Sequence, residues 1–327
     1  MSETLSRFFA LEEALRANRP RPDRTGAPFA AAALLAGEGE PEALASGTRS
    51  AHASLEAGLE AGLKASWLVA SAPTGNLRWV YAALLAANGV QAERFLDVRN
   101  RLREQAKRED GPGLHAGGAR AALVLCLTGE PSSYTLRRFF ELKRSLTPPW
   151  WRRDNAVTDT FAAAHAARDE APETVARARD LALAVFESDR RAKAHRREGA
   201  RLCALLERDP REVLARFGKL EAARRGSRYL RHRSDAALAM QWAAQGLAAE
   251  DLSAIEAIMR ELPKHMTSAG HARARLAQLI HTGGGRDVPA GSVSALSAVI
   301  AAQAAAIAAV VASSTAATTA ATTAAGS

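Results

Sequence analysis

The 327-residue chain is poor in almost everything a β-fold or a disulfide-stapled fold requires. Aromatic residues make up 5% of it and there are two cysteines. Val and Ile are sparse while Ala and Leu dominate, so intrinsic propensity favours helix over strand. Cys126 and Cys203 each sit inside an apolar run (AALVLCL and RLCALL), which predicts buried, reduced thiols and excludes a disulfide framework. The opening MSETLSRFFALEEAL has no basic stretch followed by an apolar one, so no secretory leader is expected there and the expected location is cytoplasmic.

What the sequence does contain is helical periodicity and a repeated kind of break. Phe95, Val98, Leu102 and Ala106 fall on one helix face, as do Val213, Leu214, Phe217 and Leu220, and also Leu252, Ile255, Ile258, Met259 and Leu262. The stretches 32–44, 82–95, 123–139, 162–175 and 203–217 each read as an Ala/Leu-rich helix end, a polar turn and a new helix, and 243–252 repeats the pattern weakly. Pro41, Pro131, Pro172 and Pro210 stand at or near the start of the second helix, where a missing N–H costs nothing. In DPRE, Asp209 is placed to cap the next helix. The recurrence at roughly 40 residues with two helices per unit predicts an all-α chain of tandem helical hairpins, an α-solenoid-like repeat array, with an irregular helical bundle as the alternative. The expected organisation is a hairpin domain over 1–285, a Gly linker and Ala-rich apolar helix over 286–314, and a disordered low-complexity tail over 315–327.

Charge is unevenly distributed. Net charge is +9, and residues 186–233 hold fifteen Lys/Arg against seven Asp/Glu. Two runs stand out, RRAKAHRR (190–197) and RRGSRYLRHR (224–233), about one repeat apart. In an array of repeats they would line one face, making Arg190, Arg191, Arg196, Arg197, Arg224, Arg225, Arg231 and Arg233 a candidate nucleic-acid stripe. An Arg-rich compositional bias gives the competing reading, a merely solvated face. The loop LTPPWWRRDN places Trp150 and Trp151 beside Arg152 and Arg153, a partner-binding candidate because exposed aromatics next to arginine stack bases or anchor proteins. One Trp packed beneath the loop is the plainer alternative.

No catalytic or metal signature is present. Asp154, Asp159, His165 and Asp169 lie close in sequence, but their spacings of five and six do not put ligands on one helix face. GPGLHAGG around His115 lacks the Lys-Ser/Thr of a phosphate loop and reads as a flexible linker. No cofactor or metal is expected.

From Val293 to Ala312 runs an uncharged Ala-rich helix. Val293, Ile300 and Ile307 repeat every seven residues, with Leu296 and Val310 in the companion register, which predicts an association helix for self-pairing or a protein partner. Its length would span a bilayer, but its few aliphatics, with Ser294, Ser297 and Gln303 among them, disfavour insertion.

LEAGLKASWLVASAP (59–73), SLTPPWWRRDNAVTDTFAAAHAA (145–167) and AAQAAAIAAVVA (301–312) together resemble an uncharacterised bacterial helical family of unknown function. The resemblance implies a bacterial helical protein and lends no activity. The functional expectation is a non-enzymatic helical-repeat scaffold acting through protein–protein association. The alternative is a nucleic-acid-binding or base-acting repeat protein using the basic stripe and the tryptophan loop.

Overall fold

A computed structural model describes residues 2–65, 73, 75–109, 113–147, 155–231, 236–266 and 270–283. These residues form fourteen α-helices and one short 3-10 turn, with no strand among them. In chain order the helices are α1 (Glu3–Ala17), α2 (Ala27–Leu34), α3 (Pro41–Ala65), α4 (Gly75–Ala87), α5 (Ala92–Ala106), α6 (Ala119–Thr128) and α7 (Ser133–Leu146). There follow α8 (Asn155–Ala167), α9 (Pro172–Glu187), α10 (Arg196–Leu206), α11 (Pro210–Gly226), α12 (Ala236–Gln245), α13 (Asp251–Glu261) and α14 (Gly270–His281).

Two kinds of helix alternate, and composition decides which is which. Every residue of α2 is buried, and α4, α6 and α12 are buried over most of their surface. Their sequences, such as APFAAAAL and ARAALVLCLT, are apolar all round, and the alanines let neighbouring backbones come close. The odd-numbered helices are amphipathic. In α5 the stripe Phe95, Val98 and Leu102 is buried, and in α13 it is Leu252, Ile255, Ile258 and Met259. Odd helices pack on the next odd helix from α1 through to α13, while α2 packs on α4, α6 on α8, α8 on α10 and α10 on α12. The result is an amphipathic outer layer over an inner, alanine-rich one, sharing one core that runs from Leu5 and Phe8 to Leu279 and Ile280. The last helix, α14, packs against α1 and α2, so the two ends of the helix succession meet.

Helix starts follow the expected chemistry. Pro41, Pro172 and Pro210 open α3, α9 and α11, and the Asp209 side chain accepts a hydrogen bond from the Arg211 N–H at 2.9 Å. Ser132 caps α7 by accepting from the Thr135 N–H. Cys126 and Cys203 are free and buried, and burial pushes both thiols up to about 12. The expected domains at 286–314 and 315–327, with Val293, Leu296, Ile300, Ile307 and Val310, lie outside the described residues. Residues 66–72 of the stretch LEAGLKASWLVASAP lie outside them too. No helix among the described residues is long and apolar enough to cross a membrane.

Candidate functional site

Connections between the helices are of two lengths. Those leading from an even helix to the next odd one span three to six residues (35–40, 88–91, 129–132, 168–171, 207–209 and 246–250). Those leading from an odd helix into an even one span eight to twelve (18–26, 66–74, 107–118, 147–154, 188–195, 227–235 and 262–269). Alternating helices bring all the short connections to one end of the stack and all the long ones to the other. Bonds between distant connections bear this out. Asn76, at the start of α4, donates to Asp23 before α2 at 2.7 Å, and Lys143 at the end of α7 reaches Gly113 before α6 at 2.9 Å. At the opposite end Arg7 of α1 donates to the carbonyls of Gly37 and Gly39, and His281 at the end of α14 meets Asp251 at the start of α13.

Charge divides along the same line. The described residues of the long connections include eleven Lys/Arg and three Asp/Glu, whereas the short connections carry two Lys/Arg and eight Asp/Glu. The long end presents the N-termini of the inner helices and the C-termini of the outer ones, so the helix dipoles there offset one another and the side chains set its sign. The acidic groups at the short end are partly neutralised by arginines around them. Arg138 faces Asp169 at 3.7 Å, Arg168 bonds Glu170 at 2.8 Å and also pairs with Glu207, and His165 meets Glu170 at 2.9 Å.

Hydrogen-bonded polar groups pin the long connections in place. Asp23 accepts from the backbone of Thr25 and Gly26, each at 2.8 Å, as well as from Asn76. Partial burial would raise its carboxyl, but these bonds outweigh that and hold it below its ordinary value. Asp159 and Lys143 form a wholly buried ion pair; Asp159 also accepts the His115 N–H at 2.8 Å. Burial pushes the Asp159 carboxyl up against the pull of Lys143 and His115. The GPGLHAGG segment is thus anchored by its backbone at Gly113 and His115, not a free linker, and it enters α6 through left-handed Gly117 and Gly118. Further round, Glu198 of α10 accepts from Gln241 of α12 at 3.1 Å and faces Arg275 of α14. Ser227 accepts the N–H groups of Tyr229 and Leu230 and so folds the 227–231 turn.

The two basic runs do meet. Arg191 comes close to Gly218 and Glu221 of α11, and His195 also feels Glu221 and Arg224. The stripe is thinner than the sequence suggests, however. Arg224 is 3% exposed, with both carboxylate oxygens of Glu221 at 2.8 Å and the Leu230 carbonyl as a third acceptor, so it is a structural residue. Burial alone would raise the Glu221 carboxyl, but Arg224 and Arg225 hold it low. Arg225 pairs with Glu221, Arg191 with Asp189 and Arg196 with Glu187, each at 3.1 Å. That leaves Arg190, Arg197 and Arg231 of the expected set exposed and without an ion pair among the described residues, joined by Lys193, Arg228 and Arg24, which sequence reasoning passed over. Arg233 and the loop residues Trp150, Trp151, Arg152 and Arg153 lie outside the described residues.

The acidic and histidine group separates. Asp159 faces Lys143, His165 faces Glu170, and Asp169 lies exposed beside Arg138. Among the described residues no three His, Cys, Asp or Glu side chains are placed to share a metal.

Comparison with known proteins finds no family model, no curated protein and no solved structure that matches the chain.

Proposed function

We propose that the protein is an array of tandem helical hairpins that binds nucleic acid across its long-connection end. The observation that carries this reading is the division of charge between the two ends of the stack. A surface of cations on pinned loops suits a phosphate backbone. Backbone contacts of this kind give affinity and register without base specificity. The protein-association reading has less behind it. Among the described residues the exposed large apolar side chains are Tyr134, Leu181 and Tyr229, on three different elements.

The test compares two double reversals with the same change in net charge. Arg228→Glu with Arg231→Glu alters the long end; Arg208→Glu with Arg211→Glu alters the short end. Fluorescence anisotropy on duplex DNA and on RNA should show weaker binding at higher salt. The first variant should flatten the salt slope by about 2, since each phosphate neutralised contributes roughly 0.9. The second should leave it unchanged. Equal losses in both variants, or no binding at low salt, would sink the proposal.

A further inference from the structure

We infer that the seam between the α7–α8 and α9–α10 hairpins is a binding site for a small phosphomonoester. A cavity of about 280 Å³ opens there between the last turn of α7, the middle of α9 and the first turns of α10. Arg179, Arg197 and Arg201 stand in its wall with Asp180, and Leu146 and Leu183 give it apolar sides. A smaller cavity of about 10 Å³ adjoins it, sharing Leu146, Arg179 and Arg201 and reaching inward to Thr158.

Three features of this seam point to a dianionic ligand. The first is charge. Arg197 and Arg201 are four residues apart, hence on one face of α10, and Arg179 faces them from α9 across the cavity. Among the described residues the wall holds three arginines against one carboxylate, Asp180, which accepts from the Arg179 Nε at 2.9 Å. Like charges so placed repel one another, and a group of roughly −1.5 to −2, the charge of a phosphomonoester near neutral pH, relieves that repulsion. The second is geometry. The Ser145 carbonyl also accepts from the Arg179 Nη1 at 3.3 Å, so this guanidinium is held in place before any ligand arrives. A fixed, planar fork of donors suits phosphoryl oxygens, and the apolar walls strengthen the attraction by excluding water. The third is an unsatisfied group. The Thr158 hydroxyl is 2% exposed and has no hydrogen-bond partner among the described residues, although buried hydroxyls ordinarily have one. The inner cavity it borders has room for one water or one ligand oxygen. At about 280 Å³ the outer cavity falls just below the usual range for ligand pockets, roughly 300–1,000 Å³, which limits the occupant to a phosphoryl group with a compact body.

This site borders the loop surface proposed above, with Arg197 and Thr147 at its edge, and the experiment tells the two apart. Ribose 5-phosphate is titrated calorimetrically into the full chain, with ribose as the control. Saturable one-to-one binding of the phosphate ester and none of ribose is expected. Arg197→Ala, which changes an exposed side chain, should weaken binding about tenfold or more, the usual consequence of losing a charge-assisted hydrogen bond. Leu183→Trp fills the cavity without changing charge and should abolish binding, while duplex binding persists. Circular dichroism and melting confirm that both variants fold. No binding by the parent chain, or parent-like binding by both variants, overturns the proposal. So does loss of ribose 5-phosphate binding in the Arg228→Glu/Arg231→Glu variant, because the ligand would then sit on the loops. With the site established, a 5′-phosphorylated tetranucleotide is compared with its 5′-hydroxyl form. A preference for the phosphate that Leu183→Trp removes identifies a strand end as the source, and no preference identifies a free phosphomonoester; both outcomes support the site.

Discussion

At the scale of single residues, the ion pair that fixes the connection before α6 lies where water does not reach. Lys143 and Asp159 are 1% and 0% exposed, and between them they hold the backbone at Gly113 and His115. Removing one partner leaves a buried charge unmatched, so Lys143→Met or Asp159→Asn should each cost about 3–5 kcal/mol in chemical denaturation. Lys143→Met with Asp159→Leu should cost clearly less than the sum of the singles, because no charge is then stranded. An additive double variant would mean that the pair contributes only through independent contacts. Two histidines make stability depend on acidity. His52 stacks on Trp79 with ring centroids 3.9 Å apart, and His195 packs near Phe217. Burial holds both below the ordinary 6.5, outweighing the pull of Glu56 on His52 and of Glu221 on His195. The unfolded chain therefore binds these protons more readily than the folded one. Stability present at neutral pH should fall as the pH drops through 6.5 and on past the depressed folded values. Urea midpoints measured from pH 8 to pH 5 check this, and His52→Phe should reduce the dependence.

At the scale of elements, the sequence was legible where the chain turns tightly. Every break read from the pattern of Ala/Leu end, polar turn and new helix, from 32–44 to 243–252, is a short connection, and all of them lie at one end of the stack. A turn of three to six residues leaves little choice of chemistry, so Pro at the first helical position and a capping Asp or Ser mark it. The long connections have no such constraint. Asp23 is fixed by Asn76, Asp159 by Lys143 and Glu198 by Gln241, partners 53, 16 and 43 residues away that no local pattern announces. For the same reason Arg224 passed as a surface cation, since its partners Glu221 and Leu230 matter only once the 227–231 turn folds back. The arginine cavity was equally invisible, because α7, α9 and α10 each supply a part of it. Close helix contact gives a direct test of the inner packing. A Cβ on Gly199 of α10 would lie 2.7 Å from the Met240 sulfur and 2.9 Å from the Phe186 ring, so Gly199→Ala should cost about 1–3 kcal/mol by overpacking. Gly47 is an exposed mid-helix glycine in α3 whose Cβ would meet only Ala86 at 3.8 Å, so Gly47→Ala should gain about 0.5–1 kcal/mol from helix propensity. Melting curves of the two variants should shift in opposite directions.

At the scale of the whole molecule, the meeting of α14 with α1 and α2 changes how the helices support one another. In an open array each hairpin touches only its neighbours, and stability is a sum of local terms that is weakest at the two ends. Terminal units then fray, and their amides exchange faster than those in the middle. Here α1 buries Leu5, Phe8, Leu11 and Leu15, and α14 buries Leu276, Ala277, Leu279 and Ile280, within the same core. Neither helix has the unpartnered face that a terminal repeat ordinarily covers with polar residues. Fraying of α1 must therefore break contacts with α14 as well as with α2 and α3. Hydrogen exchange followed by mass spectrometry should show α1 and α14 opening at a free energy close to that of α7 and α8, in one cooperative unit. Leu276→Ala, a truncation in α14, should cost about 2–5 kcal/mol and speed exchange in α1, far away in sequence. Exchange confined to α13 and α14 in that variant, with α1 unaffected, would show that the junction carries no energy and that the array behaves as an open one. The junction also bears on the charged end. Asp23 and Asn76 set the connection before α2, and Arg24 lies exposed within it, so loosening the junction should weaken duplex binding without removing a single cation.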